Sequence, residues 1–111
     1  MQYQERAPRV DLTGDAVVYI GGEQIACRTS NMSTSGLGLL CPVRRRVGGQ
    51  IRVEFRLSQI LWVAVSALLV RHERRTGGFL WGVEFMDVDH WVQQYIEGFI
   101  EDQMREEAMA V

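Results

Sequence analysis

Apolar positions alternate most cleanly over Gln50–Leu57: Ile51, Val53, Phe55 and Leu57 fall on one side, Gln50, Arg52, Glu54 and Arg56 on the other. A period of two sends successive side chains to opposite faces, so this segment predicts a half-buried antiparallel strand. The same reading predicts strands over Asp15–Ile20 and Glu23–Arg28. Gly21-Gly22 between them can take φ > 0 at both positions and marks a tight hairpin. Leu37–Leu40 predicts a third strand, with Gly36 placed to turn the chain into it, Pro42 to stop it, and Gly48-Gly49 as the next turn. Ile60–Val70 fits a strand or a buried helix by period; its β-branched and aromatic content and its place between turns favour a strand. Arg74–Gly78 predicts a turn and Phe79–Phe85 a further strand, with a bend or bulge at Gly82.

The period then changes. Val92, Tyr95, Ile96, Phe99 and Ile100 recur at helical spacing, Met104 extends the stripe, and Asp87 or Asp89 stands where a cap belongs. Gly98 weakens this helix slightly, and Glu101 and Arg105 predict an i,i+4 ion pair. Short strands with regular turn signals, followed by one helix, imply a mainly β fold: a six-stranded antiparallel β-barrel with a C-terminal α-helix. The expected organisation is one domain, with an N-terminal arm over residues 1–12, the barrel over 13–86 and the helix over 87–108.

Composition narrows the function. At 111 residues and 47% apolar, the chain can bury one core. Its longest apolar stretch, Ile60–Val70, is far shorter than the ~20 residues of a membrane helix. The N-terminus holds no apolar segment of signal-peptide type, so a cytoplasmic protein without membrane insertion is expected. Cys27 and Cys41 are expected to be buried thiols, not a disulfide. His72 and His90 have no partners at metal-ligand spacing, so no metal site is expected. Enzyme signatures are missing: there is no G-x-S-x-G, no Walker lysine and no G-x-G-x-x-G opening a helix, so no catalytic residue is assigned and a non-enzyme is expected.

Every basic residue is arginine, and the charge is unevenly placed. Residues 1–86 hold eleven arginines against seven acids; residues 87–111 hold one arginine against seven acids. A mildly basic body thus carries an acidic helix. Arg44, Arg45 and Arg46 form either a solvated turn or an anion patch. Trp62 and Trp81, in predicted strands, belong to the core or the barrel surface more readily than to a base-stacking platform.

Polar chemistry concentrates in Thr29, Ser30, Asn31, Ser33, Thr34 and Ser35, just ahead of a strand. Asn31 and Ser33 are two apart and share a face in an extended segment. Such residues also close their own turns through local hydrogen bonds, and N-x-S-x-x-G alone says little. It is preceded, before the first strand, by "QERAPRV", with Arg6 and Arg9. The combination resembles the PilZ domain family, in which an R-x-x-x-R motif precedes a six-stranded barrel and a D/N-x-S-x-x-G motif follows the second strand. Asn31, Ser33 and Gly36 match the second motif. "VGGQIRVEFRL", "GVEF" and "VQQYI" resemble the family's central strand, last strand and C-terminal helix, so the likeness spans nearly the whole chain.

The resemblance implies binding of cyclic di-GMP, a bacterial second messenger, and relay of the signal to a partner protein. Arg6 and Arg9 would clamp phosphate and guanine, and Asn31, Ser33 and Gly36 would complete the pocket; no other cofactor is implied. The sequence departs from the family at Glu5, where the first arginine of R-x-x-x-R would stand; the pair present is R-x-x-R. Either Arg6 reaches the site after a small shift of the arm, or the site is degenerate and the chain is a protein–protein interaction module that does not bind the nucleotide and acts in motility or cell-surface regulation. Nucleic acid is the less favoured partner, since the net charge is −2. A homodimer stays open.

Overall fold

Two-residue glycine turns set the first hairpin. Gly21 and Gly22 have φ of 56° and 84°, the left-handed pair that matches the twist of the strands they join. The strands are β2 (Asp15–Ile20) and β3 (Glu23–Met32), preceded by a short β1 (Val10–Asp11). Then come β4 (Gly36–Cys41), β5 (Gln50–Arg56), β6 (Trp62–Arg75), β7 (Gly78–Met86) and one helix, α1 (His90–Met109). The structure, a computed structural model, describes residues 7–109.

All strand pairs are antiparallel. The order β3-β2-β5-β6-β7-β4 is closed by a β3–β4 pairing, giving a six-stranded barrel, and closure removes its sheet edges. β1 is an extra strand inside the segment read from sequence as an arm; it pairs Val10 with Met32 and Asp11 with Asn31, just beyond the stretch of β3 that pairs with β2. The alternation of β5 is as expected: Ile51, Val53 and Phe55 point into the core, followed by Leu57. Trp81 is fully buried and its indole Nε1 donates to Val43 O at 2.9 Å, whereas Trp62 is half-exposed beneath the Arg56 guanidinium.

Several expectations change. β3 runs through Asn31 and Met32, so the polar stretch begins inside a strand, and β4 starts at Gly36. β6 starts at Trp62, leaving Ile60 95% exposed in the preceding turn, and runs on through "RHERR", so Arg74 and Arg75 are strand residues. Pairing with β7, which is bonded on its other side to β4, holds that polar extension in strand form. The irregularity expected at Gly82 sits across from it: β6 slips register between Leu69 and Arg71, which places Arg71 opposite Gly82. Such a bulge turns one extra residue, Val70, out of the alternation.

In α1, Val92, Ile96 and Ile100 are buried and Phe99 packs partly against the core, but Tyr95 and Met104 are exposed. The docked face is therefore narrower than the sequence stripe. Asp89 is the residue before the helix and its carbonyl accepts from Gln93 N; Asp87 instead takes a left-handed φ of 46°. Arg105 pairs with Asp102 at 3.2 Å and not with Glu101. No helix among the described residues is long and apolar enough to cross a membrane.

Candidate binding cleft

The turn between β3 and β4 is built by its own serines. Ser33 is buried; its N donates to Gly36 O at 2.9 Å and its Oγ accepts from Ser35 N at 3.2 Å. These bonds satisfy polar groups that burial would otherwise leave costly. The turn is then fixed from both sides. Phe85 N donates to Ser35 O at 2.9 Å, and the Gln93 side chain of α1 donates to Thr34 O at 3.3 Å.

Gly36 is needed here for close approach, not for a left-handed φ. A Cβ on it would stand 2.5 Å from Val83 O on β7. Gly38 has a similar role further along β4. A Cβ there would meet the Asn31 carboxamide at 2.6 Å, so Gly38 provides the space in which Asn31 lies. The carboxamide is oriented: its Nδ2 donates to Ser30 Oγ at 3.4 Å, and its Oδ1 accepts from Arg9 Nε at 2.7 Å.

Arg9, exposed just ahead of β1, is thereby brought to the N-x-S-x-x-G segment, 22 residues away in sequence. Pairing of β1 with the end of β3 sets this meeting. The second expected arginine, Arg6, and Glu5 lie outside the described residues. Beside Arg9 opens a cleft of about 530 Å³, lined by Ala7, Ser33, Ser35, Gly36 and, from β6 and β7, Val70, Arg71, Gly82, Val83 and Glu84. That volume lies in the range of small-molecule sites. Of the residues expected at a site, Arg9, Ser33 and Gly36 line the cleft, and Asn31 reaches it through Arg9.

Arg71 was missed by sequence reasoning. It is exposed, and a Cβ on Gly82 would lie 2.9 Å from its Cγ and Nε, so Gly82 leaves the groove its side chain crosses. The available signal was a glycine in a strand, which marks a close approach; the register slip that selects Arg71 is invisible in the linear chain.

The arginine run divides. Arg45 bonds Glu23 at 2.8 Å and ties its turn to the β2–β3 hairpin, while Arg44 and Arg46 are exposed beside His72, away from the cleft. No cluster of three or more metal-type ligands occurs among the described residues.

A family model described as PilZ domain matches residues 3–102. Comparison with curated proteins gives no match. Among solved structures, YcgR of Escherichia coli in complex with c-di-GMP aligns with a TM-score of 0.82 at 17% identity, over 96% of this chain and 49% of that one. The PilZ domain of YcgR from Escherichia coli, with c-di-GMP, aligns at 0.77 and 15% identity over 97% of both chains. The Bacillus subtilis inhibitor of motility, MotI/DgrA, aligns at 0.77 and 18% identity over 95% of this chain and 53% of that one. The chain thus spans about half the length of two of these proteins, and the likeness is one of fold.

Proposed function

The chain belongs to the PilZ domain family, and from that membership we propose that it binds cyclic di-GMP in the cleft between the β3–β4 turn and the β6–β7 strands. The observation that carries this reading is the 2.7 Å bond from Arg9 to Asn31 at the mouth of the cleft, which joins the arginine segment to the polar motif. The ligand carries two phosphates and two guanines. An arginine fork suits both, bidentately at phosphate oxygens and at the O6 and N7 of guanine. Arg9 supplies one such fork and Arg71 a second from across the cleft; Arg6, three residues before Arg9 in sequence, is proposed as a third. Asn31 holds Arg9 in register. Ser33 and Gly36 shape the wall, and Ser35 adds a hydroxyl. Glu84 is the carboxylate of the lining; it accepts from the guanine N2 amine and disfavours a phosphate beside it.

The arm would close over the ligand and carry the signal to a partner protein through α1, since Gln93 already touches the motif turn. The protein acts as a receptor and adaptor, not an enzyme. Two structures similar in fold, both of YcgR, hold c-di-GMP, and a second similar protein is named for inhibition of motility, which supports regulation of that kind.

One feature favours a second reading. Glu5 puts a carboxylate where the family motif has its first arginine, which would weaken the clamp and leave a protein–protein interaction module without nucleotide. Calorimetric titration with cyclic di-GMP separates the two. Micromolar or tighter binding is expected for the wild type. Arg9→Ala and Arg71→Ala each remove a charge-assisted bond of about 1.5–3 kcal/mol and should weaken affinity roughly ten- to a hundredfold. Absence of heat at ~100 µM ligand, a concentration far above a micromolar Kd, would establish the second reading instead. Glu5→Arg should then restore binding.

A further inference from the structure

Cys27 and Cys41 face each other in the core. Cys27 lies on β3 and Cys41 on β4, one position beyond the Arg28–Leu40 pair, so the two residues are direct cross-strand neighbours. Both side chains point inward, at 7% and 3% exposure, and their Sγ atoms are 2.8 Å apart. Opposed residues on antiparallel strands have Cα atoms about 4.5–5.5 Å apart, inside the range that a disulfide spans. Closing to a bond of about 2.05 Å asks for a movement of less than one ångström. Both thiols are free, and neither takes part in the cleft.

We propose that Cys27 and Cys41 are a redox modification site that closes to an intramolecular disulfide when the protein meets a peroxide. Contact with the Cys27 thiol, and then burial, hold Cys41 well above the ordinary thiol range. Cys27 is the more exposed of the pair and is assigned as the sulfur that attacks. Its thiolate displaces hydroxide from the peroxide O–O bond and becomes a sulfenic acid. Cys41 then attacks the Cys27 sulfur, loses its proton and releases the sulfenic oxygen as water. Two thiols and one hydrogen peroxide give one disulfide and two waters. Access to so buried a pair runs through local opening of the β3–β4 hairpin, so the reaction is slow but its product is stable. The bond would close a loop over residues 27–41, which holds the whole turn of the N-x-S-x-x-G motif. It would staple the base of that turn while leaving Arg9, Asn31 and Arg71 in place.

The test is made on the folded full chain. Reduced protein is exposed to hydrogen peroxide, quenched, unfolded and alkylated with N-ethylmaleimide, then weighed and mapped by peptide mass spectrometry. The expected product is monomeric, lighter by two hydrogens, unalkylated, with the Cys27 and Cys41 peptides joined, and it returns to two alkylated cysteines after dithiothreitol. A loop of this length constrains the unfolded chain enough to raise Tm on the order of 10 °C over the reduced form. Two alkylated cysteines after peroxide, sulfinic or sulfonic products without a joined peptide pair, or a disulfide-linked dimer would each overturn the proposal. The readout is independent of nucleotide, so a chain that never binds cyclic di-GMP still answers it.

Discussion

At the scale of single residues, the cleft depends on three glycines chosen for what approaches them. Gly36 accepts the Val83 carbonyl, Gly38 the Asn31 carboxamide and Gly82 the Arg71 side chain. None of these three has the left-handed φ seen at Gly21, Gly22, Gly48 and Gly77. The consequence differs by neighbour. At Gly36 the obstacle is backbone, which cannot rotate away, so Gly36→Ala should destabilise the fold by about 1–3 kcal/mol through overpacking. At Gly82 the obstacle is a flexible, exposed arginine, so Gly82→Ala should cost little stability and instead displace the Arg71 fork. Urea denaturation of both variants, with cyclic di-GMP titration of the second, checks this. Equal stability losses at the two positions would contradict it.

Among the elements, α1 shows how far a periodic pattern carries and where it stops. Its buried residues, Val92, Ile96 and Ile100, were legible because they repeat every four residues. Tyr95 and Met104 belong to the same stripe in sequence but are exposed, so the helix docks by the narrower line of Val92, Ile96 and Ile100. Ile96→Ala should therefore cost about 2–5 kcal/mol, while Tyr95→Ala should stay within about 0.5 kcal/mol; chemical denaturation separates the two. The strands divide in the same way. β5 was legible residue by residue, since one of its faces is core and the other solvent. The far end of β6 was not: residues 71–75 are polar on both faces, and their pairing with β7 is the work of a partner strand, not of their own period. The site followed suit. Asn31, Ser33 and Gly36 are close in sequence and were expected together, and Arg9 by its place ahead of the first strand; the fold brings these four to one cleft. Arg71 enters only through the bulge at Val70, a long-range property that no local pattern encodes.

For the whole molecule, the path from cleft to helix is short and built of named contacts. Arg9 bonds Asn31; β1, directly after Arg9, pairs with the end of β3; and the turn that follows β3 accepts from Gln93 at the start of α1. A ligand that engages Arg9 therefore has two ways to act on the helix, through β1 and through the Thr34 carbonyl. A ligand shifts such a system only by its differential affinity for the two states, and a fully occupied site at a hundred times Kd contributes about 2.7 kcal/mol to stability. Saturating cyclic di-GMP should raise Tm and slow amide exchange in β1 and in the first turns of α1. Gln93→Ala removes one link without touching the cleft lining. It should leave affinity within about twofold, a change of under ~0.5 kcal/mol, and yet reduce the ligand-induced protection of α1. Hydrogen–deuterium exchange on wild type and Gln93→Ala, each with and without ligand, reads both quantities. If protection of α1 in the variant matches the wild type, the helix receives the signal through β1 alone, and the bond to Thr34 serves only to seat it.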